Sequence, residues 1–371
     1  MCSAEGFFCS EWCEVSTFLR QVLKLLLEFR AKLLRQRFVC NALQGESEYN
    51  ISINCDMTVS CNCQDDGSGI LGSLDNDTFE EIFFGPTANR FRETLAKGKF
   101  PILTCVRCGE LKRAPAAVDN CSMLVDKGTP TTKQTGNPAT PCLPHRGIMA
   151  ENTVACDLSC LGCIRPEVAK IRRKTQMSLD DVRKVSALIQ RLGIEKLFYF
   201  NRGEPFLSQN ILEEMRIIRE MNPNVRIITS TNGLSLNSAL KRDAALLMDE
   251  VIFSIDGSDQ SSLQKYQRGG DFERALSNLR QLVRFREARG LEKPQIEWKY
   301  VLFNWNDRSS QIMKATALAK DAGVDLISFW PTNTPVCGIS LRYRLGWLNN
   351  VGEKSWKGRE LRLRPVVNCD T

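Results

Sequence analysis

Three cysteines stand within eight residues, Cys156-Asp157-Leu158-Ser159-Cys160-Leu161-Gly162-Cys163, in the spacing C-x3-C-x2-C. One tight loop can turn three such side chains towards a single point. Thiolates are soft ligands that suit zinc, copper(I) or iron–sulfur clusters. Structural zinc sites want four protein ligands, often as paired C-x2-C knuckles. A [4Fe-4S] cluster takes one thiolate per iron. A loop with three thiols leaves one iron open to a substrate or cofactor. A disulfide or a zinc knuckle is the plainer use of the same residues.

The 371 residues include sixteen cysteines and one histidine, His145. A Ser–His–Asp triad or a His-rich zinc centre would rest on His145 alone. Secreted disulfide proteins are usually much shorter and carry a signal peptide, and the N-terminus shows no such pattern. The longest apolar run, Val22 to Phe29, is interrupted by Lys24 and Glu28. No stretch approaches the about 18 uncharged residues of a membrane span. These features predict a cytoplasmic protein, without a membrane span, whose reduced thiols serve metal. Apolar content of 43% and charged content of 25% are those of a globular chain. The net charge of +7 is scattered, apart from Arg172-Arg173-Lys174 and a basic stretch from Lys357 to Arg364. Nucleic acid is therefore not the expected partner.

The elements that must position the thiols follow from the pattern between 148 and 336. Short apolar runs at 148–155, 195–201, 225–231, 250–256, 295–302 and 325–331 read as strands. Helix-period segments near 178–192, 209–221, 238–248, 271–288 and 309–322 separate them. This alternation predicts parallel βα units, too few to close an eight-fold barrel. Reactive groups in such folds gather at the carboxyl ends of the strands. There the second strand runs into Asn201-Arg202-Gly203-Glu204-Pro205. Gly203 permits close backbone approach, Pro205 stiffens the turn, and Glu204 with nearby carbonyls can accept from an ammonium. The third strand ends in Ser230, Thr231 and Asn232. In the fourth, period-two alternation turns Ser254 and Asp256 to one face, where they could bind ribose hydroxyls or simply cap the strand end. Tyr266-Gln267-Arg268-Gly269-Gly270 opens the next helix. Glu297, Lys299, Tyr300, Asn304, Trp305, Asn306 and Phe329-Trp330-Pro331-Thr332 lie where a sugar, peptide or aromatic substrate would sit. Cys337 reads as a buried structural thiol, with ligand or hydrogen donor as the functional alternative.

Before this core, residues 1–37 carry Phe18, Val22, Leu26 and Leu33 at helix spacing with basic residues between them. Such a helix serves a partner or a membrane surface, or packs on its own domain; the last is expected. Residues 38–115 are cysteine-rich. Tyr49–Ile53 and Thr58–Cys61 predict a hairpin, and Asp77 or Thr78 caps a helix. Cys40, Cys61, Cys63, Cys105 and Cys108 offer five thiols for four places, for iron–sulfur or for a zinc-ribbon fold. Residues 116–147 read as a polar linker with Cys121 and Cys142 near its edges, and 337–371 as a tail without a readable motif.

The cysteine loop behind Ile148, Met149 and Val154, followed one βα unit later by Gly203-Glu204-Pro205, resembles the radical S-adenosylmethionine (SAM) superfamily. The resemblance implies an α/β fold, a partial (β/α)6 TIM-type barrel over 148–336. It implies a [4Fe-4S] cluster on Cys156, Cys160 and Cys163, with SAM at the open iron. Gly203, Glu204 and Pro205 resemble the family's G-G-E-P segment, with Arg202 in place of its first glycine. Ser230, Asn232, Ser254 and Asp256 would line the SAM pocket, and Arg268 would meet the SAM carboxylate. The implied reaction is reductive cleavage of SAM to a 5′-deoxyadenosyl radical that abstracts hydrogen from a substrate. A flavodoxin or ferredoxin would supply the electron. Residues 38–115 resemble a SPASM/twitch auxiliary domain, a small cysteine-rich α+β unit, which implies a second [4Fe-4S] cluster on four of Cys40, Cys61, Cys63, Cys105 and Cys108. Such domains usually follow the core; this one precedes it. By analogy it points to peptide or protein maturation, with a small molecule such as a sugar beside it. The competing reading is a non-catalytic zinc or iron–sulfur module that contacts nucleic acid or a protein.

Overall fold

Apolar runs with period two and segments with period 3.6 become strands and helices because each buries its one apolar face. The computed structural model describes residues 5–61, 67–115, 141–348 and 354–355. The strands are β1 Gln36–Cys40, β2 Ser52–Ile53, β3 Thr58–Ser60, β4 Ile70–Ser73, β5 Leu111–Pro115, β6 Ile148–Ala150, β7 Lys196–Phe198, β8 Arg226–Thr231, β9 Glu250–Ser254, β10 Gln295–Leu302, β11 Leu326–Pro331 and β12 Lys354–Ser355. The helices are α1 Glu5–Leu33, α2 Asn41–Gln44, α3 Phe79–Phe83, α4 Pro86–Ala96, α5 Arg165–Ile171, α6 Leu179–Leu192, α7 Ile211–Met221, α8 Ala239–Leu246, α9 Gln260–Leu263, α10 Phe272–Glu287, α11 Ser309–Ala322 and α12 Leu341–Arg344.

From β6 to β11 the strands lie side by side in chain order, every neighbouring pair parallel. A sheet without a switch in strand order winds one way, as in a β/α barrel, rather than in two directions as in a dinucleotide-binding sheet. Among the described residues no ladder joins the outer strands β12 and β4, so the sheet is open. Ile148, Leu197 and Ile227 stand in register across three strands and are fully buried, as are Val251 and Ile296 on the next two. Helix boundaries follow local chemistry. Ser178 and Asp181 form a reciprocal capping box on α6, and Gly193 ends that helix with a left-handed φ of 62°.

The cysteine-rich region does not build a sheet of its own from the expected hairpin. β2 pairs parallel to β6, and β3 and β4 follow antiparallel, so all three extend the core sheet. Only β1 and β5 pair apart from it. Thr78 is the N-cap of α3, with a capping box to Glu81. α1 meets the domain through Ala31 and Leu27, while Phe18, Leu25, Leu26, Phe29 and Leu33 are exposed.

One buried ion pair ties β6 to the segment after α5. Arg172 Nε donates to Glu151 Oε2 at 3.0 Å, with neither side chain accessible to solvent. Glu151 Oε1 also accepts from the Arg202 amide at 3.2 Å, at the carboxyl end of β7. Removing one partner of a buried pair strands a charge. Arg172→Met should therefore cost on the order of 3–5 kcal/mol in chemical denaturation. Adding Glu151→Gln should recover part of that loss.

Candidate cluster and cofactor site

The cysteine loop leaves β6 and is held on three sides by backbone. The Glu204 amide donates to the Ala155 carbonyl at 2.7 Å. The Ser159 amide donates to the Arg268 carbonyl at 3.0 Å, and the Leu161 amide to the Tyr266 carbonyl at 2.8 Å. Asp157 accepts from Asn232 Nδ2 at 2.6 Å and from Ser235 Oγ at 2.8 Å. Gly162 turns the loop with a φ of 79°, and the Cys163 amide reaches the Cys160 carbonyl at 3.2 Å. Gly203 has no room for a side chain, because a Cβ there would lie 1.9 Å from the Thr153 carbonyl oxygen.

Cys156, Cys160 and Cys163 are all partly buried and none is in a disulfide, which sets aside the bridged alternative. Burial pushes the Cys156 thiol up to about 11. Burial also raises Cys160 well above its ordinary value, with Cys163, Asp256 and Cys156 adding to the effect. The thiols are thus within electrostatic reach of one another. Among the described residues, no three His, Cys, Asp or Glu side chains already converge at metal-binding distance. The donor set nonetheless fits a soft cation. Desolvated neighbouring thiols resist ionisation until a bound metal compensates their charge. Asn232 Nδ2 stands 3.9 Å from Cys156 Sγ, and the Arg165 amide 3.5 Å from Cys163 Sγ. Tyr266, Phe303 and Trp305 stack in sequence, with centroids 4.5 and 4.7 Å apart, against Cys160 and Leu161. That stack shields one side of the loop from water.

The residues expected to line a SAM pocket divide into two groups. Ser230 and Ser254 come together, their hydroxyl oxygens 3.2 Å apart, and Asn232 faces the loop. The side-chain amide of Asn201, at the end of β7, has a buried nitrogen without a partner, a donor that a bound cofactor could take up. The two carboxylates are both engaged within the fold. Glu204 is buried and accepts from Thr231 Oγ1 and the Asn232 amide, both at 2.7 Å, and from the Phe206 amide at 3.2 Å. Burial pushes its carboxyl up to about 7. Asp256 is tied to the neighbouring strand. It is buried, accepts from the Val301 amide at 2.8 Å, and burial raises it to about 6. Arg268 is exposed and contributes its carbonyl to Ser159. Pro205 offers its carbonyl to Asn152 Nδ2 at 3.1 Å.

Several residues brace the site in ways their sequence positions do not announce, among them Asn306, which is buried and bonded within the fold. Gln267 clamps β9 by accepting from the Asp256 amide and donating to the Ser254 carbonyl, both at 2.9 Å. Asn152 bridges Pro205 and Glu214. Asn306 donates to the Asp256 carbonyl at 3.0 Å. Further into the sheet, Lys299 Nζ lies 4.9 Å from the centre of the Trp330 ring, and Trp330 Nε1 donates to Ser328 Oγ at 2.7 Å. Cys337 is exposed rather than a buried structural thiol.

In the cysteine-rich region Cys40 and Cys61 are buried and Cys105 and Cys108 partly so; Cys63 lies outside the described residues. Burial raises Cys40 and Cys105 each to about 12, with Cys105 adding to the first and Cys108 to the second. Arg92 lies within electrostatic reach of Cys40, its guanidinium held by the Leu43 and Phe83 carbonyls at 3.0 and 2.8 Å. Cys55 escapes sequence reasoning: it is buried and its Sγ lies 3.2 Å from the Lys174 carbonyl.

With this geometry described, the comparisons define the class. Residues 152–286, about a third of the chain, match the Radical SAM superfamily model. The family implies a [4Fe-4S] cluster and SAM. The GTP 3′,8-cyclase of Chlorobaculum tepidum is 28% identical over 131 residues, 35% of this chain and 39% of that enzyme. The GTP 3′,8-cyclase of Alkaliphilus oremlandii is 26% identical over 133 residues, 36% and 41% of the two chains. The chain thus spans about two-fifths of the length of these curated relatives. Among solved structures, native anSMEcpe with bound AdoMet is 15% identical with a TM-score of 0.38, over 49% of this chain and 50% of that one.

The Gly203 contact yields a direct test. Gly203→Ala should separate the β6 and β7 ends, at a cost of about 3 kcal/mol or more. Iron bound per chain after anaerobic reconstitution should fall, together with the melting temperature.

Proposed function

We propose that the chain is a radical SAM enzyme that abstracts hydrogen from a peptide, a protein side chain or a small molecule. The observation that carries this reading is the trio Cys156, Cys160 and Cys163 on one pinned loop at the carboxyl end of β6, inside the stretch that matches the Radical SAM superfamily model. These thiols would hold the cluster, and SAM would take the remaining iron. When bound, the cluster supplies the electron that cleaves SAM reductively. The chain's own residues orient and enclose. Asn232 fixes the loop through Asp157, the Ser230 and Ser254 hydroxyls line the neighbouring strand ends, and the Tyr266–Phe303–Trp305 stack excludes water.

Several finer parts belong to the same reading. The core forms a partial (β/α)6 barrel. Four of Cys40, Cys61, Cys63, Cys105 and Cys108 hold a second [4Fe-4S] cluster in a SPASM-like region, with the Arg92 cation nearby. A flavodoxin or ferredoxin donates the electron, and the protein works as an oxidoreductase or maturase in the cytoplasm. The relatives' name adds GTP to the small molecules to be tried, and the Lys299–Trp330 pair suits an anionic or aromatic substrate. The loop has no spare thiol. Cys160→Ala, reconstituted with iron and sulfide, should release no 5′-deoxyadenosine from SAM under reduction, by liquid chromatography; wild-type release would refute the assignment. A zinc-loaded, colourless wild-type protein that shifts nucleic acid in a gel would favour a non-catalytic module. Two clusters require about eight irons per chain. Cys105→Ala/Cys108→Ala should lower that to about four while SAM cleavage persists.

A further inference from the structure

We propose that the outer face of α1 seats on an anionic bilayer surface, anchoring the protein peripherally. Over residues 20–33 the helix meets the rest of the molecule along one side, through Leu27, Glu28 and Ala31. Ala31 is buried, and Gly98 packs beneath it so closely that a Cβ there would lie 3.6 Å from the Ala31 Cβ. Glu28 Oε1 accepts from the Phe100 amide at 2.9 Å. The opposite side is apolar and open. Phe18 is 63% exposed, Leu25 66%, Leu26 60%, Phe29 67% and Leu33 71%. Steps of three and four place these residues on one stripe. Ala31 follows Phe29 by two positions, about 200° round the helix. The stripe is therefore not the packing face slightly displaced; it points away from the domain.

Charge selects the occupant. The positive charge belongs to the second half of α1 and the turn after it: residues 18–37 hold six cations, Arg20, Lys24, Arg30, Lys32, Arg35 and Arg37, against one acid, Glu28, whereas residues 5–17 carry Glu5, Glu11 and Glu14 and no cation. Glu28 is turned to the domain and lies 3.9 Å from Lys24. Arg30, Lys32 and Arg35 are exposed, as are Lys97 and Lys99 on the turn beneath. A second copy would bring the same positive set against itself across a twofold axis. An anionic leaflet satisfies both features at once: the acyl boundary takes the apolar stripe and the headgroups take the cations. Among the described residues no helix is long and apolar enough to cross a membrane, so α1 would lie in the interface rather than span it.

The test uses the full chain, purified anaerobically, in flotation with vesicles of phosphatidylcholine alone and of phosphatidylcholine with one-quarter phosphatidylglycerol. The protein should float with the anionic vesicles at 0.1 M salt and at least tenfold less with neutral ones. Leu25→Glu/Phe29→Glu, both exposed, should lose at least tenfold in binding with an unchanged melting temperature and iron content. Arg30→Glu/Lys32→Glu should lose more, since each cation near an anionic leaflet changes partitioning roughly fivefold. The proposal is overturned if wild type stays in solution with anionic vesicles. It is equally overturned if Leu25→Glu/Phe29→Glu floats as wild type does, which would reduce binding to general charge attraction. Light scattering that shows a dimer dissolved by that variant, with no flotation of wild type, would assign the stripe to a second copy instead. Flotation does not depend on SAM cleavage, so the two readings fail separately.

Discussion

The contact on which the site depends is the approach of two backbones at Gly203. The β7 end comes so near the β6 end that the only side chain tolerated is none. The Glu204 amide can then reach the Ala155 carbonyl, one residue before Cys156. From there the constraint spreads outward. The Glu204 carboxyl gathers donors from the third strand end, and Asn232 returns from that end to Asp157 inside the cysteine loop. The segment after β9 closes the ring through the Tyr266 and Arg268 carbonyls. Three thiols in a flexible loop would bind metal weakly and in several arrangements. Held at three backbone positions by neighbouring strand ends, their ordering cost is met by folding rather than by binding.

The carboxylates show the cost of this arrangement. A buried acid prefers its neutral form, and Glu204 and Asp256 are both displaced upward for that reason. Each is compensated by amide and hydroxyl donors from other strand ends. The two therefore act as joints between βα units.

Much of this was legible in the sequence, and the failures have a common cause. The alternation of strand and helix across the core could be read because its periods are local properties of the chain. That the three thiols share one loop at the end of the first core strand could be read because their spacing and the strand before them are local features of the chain. Glu204 and Asp256 could be placed at their strand ends, but their partners within the fold, Thr231, the Asn232 amide and the Val301 amide, could not be read. Whether a carboxylate faces a ligand or the interior is decided by donors such as the Val301 amide, many residues away. The bracing roles of Gln267, Asn152 and Asn306 could not be read for the same reason. On α1 the period announced an apolar face, but period alone cannot say whether that face turns inward.

Chain order also explains how a region that precedes the core can stand beside its first strand. A sheet laid down in sequence has two edges, β6 at its beginning and β11 at its end. A segment attached at the N-terminus finds the β6 edge nearest. β2 takes that place in parallel, Ser52 beside Met149 and Ile53 beside Ala150. β12 covers the other edge antiparallel. Exposed edges invite pairing with other chains, so both additions protect the sheet. The N-terminal addition also brings its buried Cys55 amide within 3.5 Å of Glu151, the residue that follows β6 and leads into the cysteine loop. A region at the C-terminal edge would have needed a long return connection to reach the same strand. The order of the segments and the position of the cysteine loop on the first core strand are thus one topological fact.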